Sequence, residues 1–497
     1  MISKKLSVLL HDFKLPQIND KDIVGLCLDS RILQKGELFF ACKGANLDAT
    51  QFISDAIKKG ASAVLYDASA RLDGLDFETD ISIIPITNLN HQISKIAAIF
   101  FDHPAESLKI IGITGTNGKT SCSHFIAAAL QNLTIPCGVI GTLGNGIYGN
   151  IQSGNLTTPD PITLQKLFFE FVKSGVKYVA MEVSSHSIDQ GRINDVPFEI
   201  GIFTNLTRDH LDYHGDMETY GAVKKRLFTD YAVKYAVINI DDSFGRSLAD
   251  AIFTTRDVIA YSTNEIKNFS MPLVFARDIQ FDITGLHAKI STPWGAGDLH
   301  VNVIGLFNLS NLLAVISALC ILDIPLTKIL ESMSQLSSVP GRMQCFGGKK
   351  TLPLVVVDYA HTPDALEKTL QALREHTKGK LYCLFGCGGD RDKGKRPLMA
   401  SIAERYADKI IVTNDNPRFE NPESIVTDIL LGFTNLDKVI IEYDRLLAIQ
   451  TIISHAKAGD CVLIAGKGAE TYQIIQDQKQ PFSDVEVVKE ILGEKVC

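Results

Sequence analysis

The sequence IIGITGTNGKTSCSHF places an apolar run, a glycine-rich turn and a helical pattern directly after one another. A strand that enters a helix through such a turn is typical of phosphate-binding loops. Gly115 and Gly118 would let backbone N–H groups approach a phosphate, and Lys119 would offset its charge. The Thr120 hydroxyl would then reach Mg²⁺. The strict pattern requires glycine where Ile113 stands, so a plain turn before a helix remains an alternative.

Buried-strand runs alternate with helical patterns through the middle and last parts of the chain. The runs are, in order, IIGIT, YVAMEV, IGIFTN, YAVINI, LVVVDY, KLYCLFG, KIIVT and CVLIAG. Such alternation predicts βαβ units and largely parallel sheets. We therefore expect an α/β fold.

The length of 497 residues is too great for one hydrophobic core, since domains average roughly 150 residues. A helical pattern ends before the proline-containing link FFDHPAESLK, and a Pro-Gly pair interrupts the chain in SSVPGRMQCF. We expect three domains, at residues 1–104, 105–336 and 337–497.

Composition narrows the class of protein. The net charge of −8 argues against a dedicated nucleic-acid-binding protein, which usually presents a basic surface. No apolar run approaches the roughly 18 residues of a membrane span, and the N-terminal stretch lacks a signal-peptide pattern. We expect a cytoplasmic protein that binds neither nucleic acid nor membranes. Ten cysteines are scattered, most of them in apolar segments, which favours buried free thiols over a disulfide framework.

Polar side chains follow the strand YVAMEV. Glu182 stands where its carboxylate could meet a metal held by Thr120. The neighbouring Ser184, Ser185 and His186 allow a serine-hydrolase alternative, but no G-x-S-x-G turn supports it.

The stretch after the strand IGIFTN carries several acidic and histidine side chains: Asp209, His210, Asp212, His214 and Asp216. A zinc cluster is one interpretation, and a polar loop before a helix that begins near Met217 is another. The nearby phosphate loop favours Mg²⁺ with oxygen ligands, and no H-E-x-x-H arrangement is present.

Four loops follow the predicted strands of the last segment: DYAHTPD, GCGGDRDKGKRP, NDNPRFENP and GKGAETY. Because ligands collect at the carboxyl ends of parallel strands, these loops should face one crevice. In NDNPRFENP, Arg418 stands on a loop stiffened by Pro417. A solvated turn is the alternative for this segment.

The variant loop TGTNGKT, together with LDSR, EVSSH, NLTRDH and DNPR, resembles the Mur ligases, ATP-dependent amide-forming enzymes of peptidoglycan synthesis. The resemblance covers essentially the whole chain. It implies a UDP-muramoyl substrate-binding domain, a central ATP-binding domain with a phosphate-loop-type parallel sheet, and a C-terminal Rossmann-like domain for the amino acid. It is strongest to the enzymes that add meso-2,6-diaminopimelate to UDP-N-acetylmuramoyl-L-alanyl-D-glutamate.

The resemblance implies ATP and Mg²⁺ as cofactors, small-molecule substrates, and named site residues. The implied ATP contacts are Gly115, Thr116, Asn117, Gly118, Lys119, Thr120, Ser121, Asn308, Arg342 and Asp358, with His361 closing over the nucleotide. The implied catalytic residues are Lys119, His210 and Lys224, and the implied metal ligands are Thr120, Glu182, His210 and Lys224. Lys224 is carbamylated in the family, which suits the chemistry because an ammonium would repel Mg²⁺ and a carbamate is an anion.

The resemblance also implies two further sets of contacts. The UDP-muramoyl-dipeptide would meet Leu28, Ser30, Thr157, Thr158, Ser184, Gln190 and Arg192. Diaminopimelate would meet Arg391, Asp415, Asn416, Pro417, Arg418, Gly466 and Glu470, with Glu470 on the distal ammonium. Diaminopimelate has a second carboxylate that L-lysine lacks, and a guanidinium binds a carboxylate through two hydrogen bonds.

Two positions depart from the family pattern. Asp48-Ala49 stands where the family usually has Asp-Gly, which puts contacts of residues 45–47 in doubt, and Ala469 stands where many relatives have histidine. We expect a monomeric ligase. The alternatives are the same ligase with L-lysine, a folylpolyglutamate synthase-like ligase, an inactive nucleotide-binding regulator, and a metal-dependent hydrolase.

Overall fold

The computed structural model describes residues 2–13, 18–44, 48–70, 72, 80–154, 156–267, 269–282, 285–348 and 352–493. Residues 45–47, whose contacts the Ala49 departure puts in doubt, lie outside these ranges. Within the described part, no helix combines the length and the apolar character that crossing a membrane requires.

Short strands and three α-helices make up the described residues of the first part of the chain. The elements are β1 Lys4–Lys5, α1 Leu6–Leu9, β2 Asp22–Ile23, β3 Gly25–Cys27, β4 Glu37–Ala41, α2 Ile53–Lys58, β5 Ala63–Asp67, β6 Ser82–Ile86, α3 Leu89–Phe100 and β7 Lys109–Thr114.

The middle part alternates strands with helices and ends in a meander of long strands. The elements are α4 Lys119–Asn132, β8 Cys137–Gly141, β9 Gly144–Ile147, β10 Asn150–Gln152, α5 Pro161–Lys173, β11 Tyr178–Glu182, α6 Ser185–Asp189, β12 Phe198–Phe203, α7 Leu211–His214, α8 Met217–Thr229, β13 Val233–Asn239, α9 Ser243–Ile252, β14 Asp257–Ser262, β15 Leu273–Asp282, β16 Gly285–Thr292, β17 Gly295–Val301, α10 Leu306–Ile321 and α11 Leu326–Met333.

The last part again alternates strands with helices and closes with a hairpin and a helix. The elements are β18 Gln344–Gly347, β19 Leu354–Asp358, α12 Pro363–His376, β20 Leu381–Phe385, α13 Lys395–Tyr406, β21 Lys409–Val412, α14 Pro422–Leu430, β22 Val439–Ile441, α15 Arg445–His455, β23 Cys461–Ala465, β24 Tyr472–Ile475, β25 Gln478–Pro481 and α16 Asp484–Leu492.

The chain divides into two compact units. The first contains Met1–Thr114, Pro136–Gly201 and Val223–Lys234. Its small sheet has the order β3-β4-β5-β6 with every neighbouring pair parallel, and buried apolar clusters lie on both faces. In the same unit β11 lies between β8 and β7, parallel to both, and the antiparallel β9 and β10 extend beyond β8.

The second unit contains Gly115–Ile135, Ile202–Ala222 and Tyr235–Cys497. Its C-terminal sheet has the order β18-β19-β23-β20-β21-β22 and is parallel from β19 to β22, with only β18 antiparallel. The apolar cores on its two faces are covered by α12, α13 and α14 on one side and by α15 and α16 on the other. This layered arrangement places the loops after β19, β20, β21 and β23 at one edge.

The predicted α/β class is confirmed, because the eight apolar runs form β7, β11, β12, β13, β19, β20, β21 and β23. The domain boundaries stay predictions. The nine described cysteines are free thiols, and Cys42 and Cys345 are not buried, contrary to the expectation that the thiols are buried.

Candidate functional site

The phosphate loop has the backbone that its glycines predict. Gly115 and Gly118 have φ angles of +143° and +90°, and α4 begins at the next residue, Lys119. A Cβ atom on Gly115 would overlap Oγ1 of Thr204, and one on Gly118 would lie 2.5 Å from Oδ1 of Asn311. Glycine is therefore required at both positions for space as well as for conformation.

Residues after β12 fix the loop in position. Asn205 accepts the N–H of Thr116 on its carbonyl and the N–H of Asn117 on Oδ1, both at 2.9 Å. Thr204 Oγ1 donates to the carbonyl of Asn117 at 2.6 Å. Thr207 N–H donates to Oγ1 of Thr116 at 3.0 Å. The turn is thus pre-organised by hydrogen bonds, although none of these three partners was predicted.

Lys119 lies back over its own loop. Its Nζ donates to the carbonyls of Gly115 at 2.9 Å and Thr116 at 2.8 Å. These bonds hold the ammonium over the turn at the start of α4, where a phosphate would meet both the charge and the helix N-terminus.

Arg342 reaches the same helix start from beyond α11. Its Nη2 donates to Oγ1 of Thr120 at 3.1 Å, and its guanidinium carbon lies 4.2 Å from the ring centre of Tyr359. Stacking of this kind holds a guanidinium plane in a defined orientation.

A cavity of about 670 Å³ lies beside the loop. Six of the predicted ATP contacts line it: Asn117, Gly118, Ser121, Asn308, Arg342 and Asp358. Asn308 also bonds its own helix start, since Nδ2 donates to the carbonyl of Ile304 at 2.8 Å. His361 is not among the lining residues. It lies 3.6 Å from Oδ2 of Asp209 instead.

Asp358 has a structural task at this cavity. Its carboxylate accepts the N–H groups of Met343 at 2.7 Å and Ala360 at 2.9 Å. Burial raises the pKa of Asp358, and the charge of Arg342 together with those two N–H groups partly offsets the increase. The carboxylate thereby orients both the segment that carries Arg342 and the turn after β19.

Asp209 and His210 lie together before α7. Asp209 Oδ2 is 3.5 Å from Nε2 of His210. Burial alone would raise the pKa of Asp209, but hydrogen bonding and charge from His361, with charge from His210, hold it well below its usual range. His210 has a φ angle of +55°, an uncommon conformation that the surrounding contacts must maintain.

Five predicted substrate contacts form one hydrogen-bonded cluster in the first unit. Thr158 Oγ1 donates to the carbonyl of Glu182 at 2.8 Å and accepts the N–H of Ser184 at 3.2 Å. Arg192 Nη1 donates to the carbonyl of Thr158 at 2.9 Å, and its Nε donates to Oε1 of Gln190 at 2.9 Å. Thr157 Oγ1 lies 3.2 Å from the Thr142 hydroxyl, which joins it to the same group.

Ser184 caps α6 by accepting the N–H of Ser187 at 3.1 Å, which is a structural use of its hydroxyl. Leu28 and Ser30 follow β3 in the same unit. Ser30 is buried, and its carbonyl accepts a 2.7 Å bond from Nζ of Lys59. A role for Leu28 and Ser30 shared with the cluster around Thr158 stays a prediction.

Glu182 is a buried carboxylate at the end of β11. Both of its oxygens accept bonds from Thr142, Oε1 from the N–H at 2.9 Å and Oε2 from the hydroxyl at 3.0 Å. Sequence analysis missed Thr142, whose only signal is its place in the glycine-flanked stretch GTLGN.

Lys224, on α8, is 1% exposed. Burying a charged ammonium is costly unless it is paired or neutralised, and carbamylation of Lys224 stays a prediction. Among the described residues, no group of three or more His, Cys, Asp or Glu side chains is arranged to hold a metal ion. Hydroxyl, carboxylate and carbamate oxygens are donors of the kind that Mg²⁺ prefers, so the predicted ligands Thr120, Glu182 and a carbamylated Lys224 suit that ion by their chemistry.

Loops after three strands of the C-terminal sheet meet around Asn416. Its Nδ2 donates to Oε2 of Glu470 at 3.0 Å, and its Oδ1 accepts from Nζ of Lys467 at 3.1 Å and from the N–H of Ile474 at 2.9 Å. Lys467 also bonds Oε2 of Glu470 at 2.8 Å and is fully buried. Sequence analysis missed Lys467, although GKGAE was singled out.

The arginine of the DNPR segment is built into a strand-like bridge. Arg418 N–H donates to the carbonyl of Ile474 at 3.1 Å, and the N–H of Gln476 donates to the carbonyl of Arg418 at 2.8 Å. Gln473 Nε2 donates to the carbonyl of Asp415 at 2.7 Å. The φ angle of Arg418 is +52°, which these bonds maintain.

The guanidinium of Arg418 and the aliphatic part of the Arg391 side chain both approach Gly388, in the loop after β20. A Cβ atom there would be 2.9 Å from Nη1 of Arg418 and 3.7 Å from Cγ of Arg391. Burial lowers the pKa of Arg418, and the charge of Arg391 lowers it further. Arg418 Nη1 donates to the carbonyl of Gly389 at 2.9 Å. The charges of Asp415, Glu470 and Asp390 act in the opposite direction and raise the pKa of Arg418.

Gly466 and Asp415 are in close contact between two of these loops. Gly466 has a φ angle of +115°, and a Cβ atom there would lie 2.6 Å from Oδ2 of Asp415. Arg391 lies 3.6 Å from Oδ2 of Asp212, with its side chain half exposed. The structure therefore brings the predicted diaminopimelate contacts to the edge where β20, β21 and β23 end.

The fold and the cavity beside the loop define a nucleotide-binding α/β protein of the phosphate-loop class. Three family descriptions match the chain: the Mur ligase family catalytic domain over residues 22–111, the Mur ligase middle domain over 113–319, and the Mur ligase glutamate ligase domain over 341–468. The chain belongs to the Mur ligase family.

Close relatives share nearly the whole chain. The UDP-N-acetylmuramoyl-L-alanyl-D-glutamate–2,6-diaminopimelate ligase of Coxiella burnetii is 49% identical over 492 residues, 99% of this chain and 100% of that one. The ligase of the same name from Pseudomonas syringae is 49% identical over 463 residues, 93% of each. A solved structure of a ligase of that name is 32% identical, with a TM-score of 0.69 and coverage of 98% of each chain.

Proposed function

We propose that the protein is an ATP-dependent ligase that joins meso-2,6-diaminopimelate to the D-glutamate of UDP-N-acetylmuramoyl-L-alanyl-D-glutamate, in the synthesis of peptidoglycan precursors. Relatives that are 49% identical carry the name of that reaction. The observation that supports the choice of amino acid is the Arg418 guanidinium beside Gly388, a residue that the Arg391 side chain also approaches.

The reaction begins with the UDP-muramoyl-dipeptide. The carboxylate of its D-glutamate attacks the γ-phosphate of ATP, which expels ADP and yields an acyl phosphate. The amine of diaminopimelate then displaces phosphate, gives up a proton and forms the amide. Activation is needed because a carboxylate is a poor electrophile. Phosphoryl transfer depends mainly on positioning and charge stabilisation, which here come from the N–H groups of the loop and from Lys119.

Mg²⁺, when bound, neutralises charge on the transferring phosphoryl group. Thr120, Glu182, His210 and a carbamylated Lys224 would hold it. Thr142 would orient the Glu182 carboxylate, since it donates to both oxygens. Thr157, Thr158, Ser184, Gln190 and Arg192 would position the UDP-muramoyl-dipeptide, with Leu28 and Ser30 on its uridine.

The distal end of the amino acid decides between diaminopimelate and L-lysine. Arg418 and Arg391 would bind the second carboxylate of diaminopimelate, which L-lysine lacks. Glu470, already held by Asn416 and Lys467, would face the distal ammonium. L-lysine would offer Arg418 no carboxylate, so the charged contact that diaminopimelate makes would be lost.

We propose a monomer as the catalytic unit. We also propose that it acts in the cytoplasm, on the small molecules of peptidoglycan precursor synthesis. The proposed domains are residues 1–104 for the UDP-muramoyl substrate, 105–336 for ATP and 337–497 for the amino acid.

The test is phosphate release from ATP with the UDP-muramoyl-dipeptide, comparing meso-diaminopimelate, L-lysine and no amine. We expect turnover that requires an amine and strongly favours diaminopimelate. Turnover that ignores the amine would rule out a ligase. Equal use of L-lysine would leave the ligase in place and overturn the proposed role of Arg418 and Arg391.

A further inference from the structure

Arg445 and Asp484 form an ion pair with no exposed surface in the C-terminal part of the second unit. Nε of Arg445 donates to Oδ1 of Asp484 at 2.8 Å, and Nη2 donates to Oδ2 at 2.7 Å. Both side chains are 0% exposed. Arg445 begins α15 and Asp484 begins α16.

The remaining hydrogen bonds of Arg445 go to two strand ends. Nη1 donates to the carbonyl of Asn414 at 3.2 Å, and Nη2 donates to the carbonyl of Ala465 at 3.0 Å. Asn414 directly precedes Asp415, and Ala465 directly precedes Gly466. Both successors are among the proposed diaminopimelate contacts.

The two strands that Arg445 joins are not neighbours. β20 lies between β21 and β23 in the sheet. Their carboxyl ends are therefore separated by two strand spacings, about 10 Å in all. No backbone hydrogen bond of the ladder can fix that distance directly, whereas one guanidinium with donors on two sides can.

A buried ion pair is weak support for stability, because desolvation costs about as much as the attraction returns. The pair therefore calls for a reason beyond folding. That reason is geometric, since Gly466 and Asp415 are so close that a Cβ atom on Gly466 would be 2.6 Å from the Asp415 carboxylate. A small change in the spacing of these loops would alter the pocket wall.

We infer that Arg445, held by Asp484, is a positioning residue that sets the spacing of the Asp415 and Gly466 loops and thereby the affinity for the amino-acid substrate. This inference rests on the proposed ligase function. Neither residue is among the proposed substrate contacts, and the loops that Arg445 holds carry contacts for the amine, so the effect is expected on binding of the amine rather than on phosphoryl transfer.

The main test replaces the pair by apolar residues, in the double variant Arg445→Met/Asp484→Leu. Replacing both partners avoids leaving one buried charge alone. We expect KM for meso-diaminopimelate to rise about tenfold or more, as the loss of charged hydrogen bonds predicts. KM for ATP should change less than about twofold, since no bond of Arg445 reaches the phosphate loop.

A matched control lies at the opposite end of the same sheet. Arg374 pairs with Asp408 at 2.8 Å and donates to the carbonyls of Thr377 at 3.3 Å and Gly379 at 2.7 Å, just before β20 begins. Arg374→Met removes a similar set of bonds, from a pair that is partly exposed, far from the strand ends that carry the site. It should leave KM for diaminopimelate unchanged even if the protein is less stable.

A second variant tests the inference if the double variant does not fold. Arg445→Lys keeps a charge opposite Asp484 but cannot reach both carbonyls. It should fold and show a smaller rise in the same KM. An unchanged KM in a folded variant, an equal rise for ATP, or failure of both variants to fold would overturn the inference. Wild-type turnover without an amine would instead contradict the ligase function itself.

Discussion

Arg342 Nη2 donates to Oγ1 of Thr120 at 3.1 Å, while its guanidinium stacks on the ring of Tyr359. One side chain thus joins the first turn of α4 to the turn after β19. Asp358 accepts the N–H of Met343, the residue after Arg342, and so holds the backbone that carries the arginine. The same cavity is lined by loop residues and by residues from the last segment, so nucleotide binding should be sensitive to this connection.

Arg342→Ala should weaken nucleotide binding by about 10- to 100-fold, because a charged and stacked donor is lost. The measurement is titration of ADP by calorimetry. Arg342→Lys retains the positive charge but not the planar guanidinium, so its affinity for ADP should lie between those of the wild type and of Arg342→Ala. Wild-type affinity in the alanine variant would contradict the assigned role.

Lys119→Met should lower kcat by about 10²- to 10³-fold, the usual effect of removing one group that stabilises a transition state. The fold should persist, since Nζ of Lys119 donates to carbonyls of its own loop, at Gly115 and Thr116. Lys368→Met is the control. Lys368 lines the same cavity but is paired with Asp364 at 3.0 Å, and its replacement should have little effect on kcat.

Arg418→Ala should raise KM for meso-diaminopimelate by about 10- to 100-fold, corresponding to one lost charged contact. ATP binding should survive, because the bonds of Arg418 lie within the loops after β20 and β21 and the hairpin β24–β25. Steady-state kinetics with each substrate varied in turn separates the effect on diaminopimelate from any effect on ATP. An equal loss for both would show that the variant disturbs the whole domain.

Lys224→Met should abolish turnover, because the proposed carbamate could no longer form. Wild-type protein labelled with ¹³C-bicarbonate should show a carbamate signal by NMR that the variant lacks. Lys225→Met, one position further along α8, is the control and should keep both activity and signal. A wild-type spectrum without the signal would show that Lys224 acts unmodified.

Glu420 gives a pH-dependent test of the loop that carries Arg418. The hydrogen bonds of Arg396 lower the pKa of Glu420 from 4.5 to about 2. A carboxyl whose folded pKa is lowered stabilises the protein above its unfolded pKa and loses that effect as the pH falls through the folded value. The gap in unfolding free energy between wild type and Glu420→Gln should be constant above pH 4.5 and shrink towards pH 2. A gap that widens on acidification would contradict the assignment.

Local sequence patterns were enough to predict the phosphate loop and the parallel strands. Gly115 and Gly118 signal positive φ angles, and runs such as LVVVDY signal strands buried on both faces. Contacts between distant segments have no such signal. Asn205 supports the loop from 88 residues away, and Lys467 meets Asn416 from 51 residues away. Arg445 lies in DRLLA, a stretch that looks like an ordinary helix start.

The bridge between Arg418 and the hairpin β24–β25 has a consequence for transplanting substrate preference. The backbone of Arg418 is paired with Ile474 and Gln476 on both sides, and Asn416 is bonded to the N–H of Ile474. The tetrapeptide Asp-Asn-Pro-Arg is therefore one half of a composite module. If it were grafted into a lysine-using ligase without the matching hairpin, the Arg418 guanidinium would not be held in the same position. The two segments should therefore be exchanged, or diverge in evolution, only as a pair.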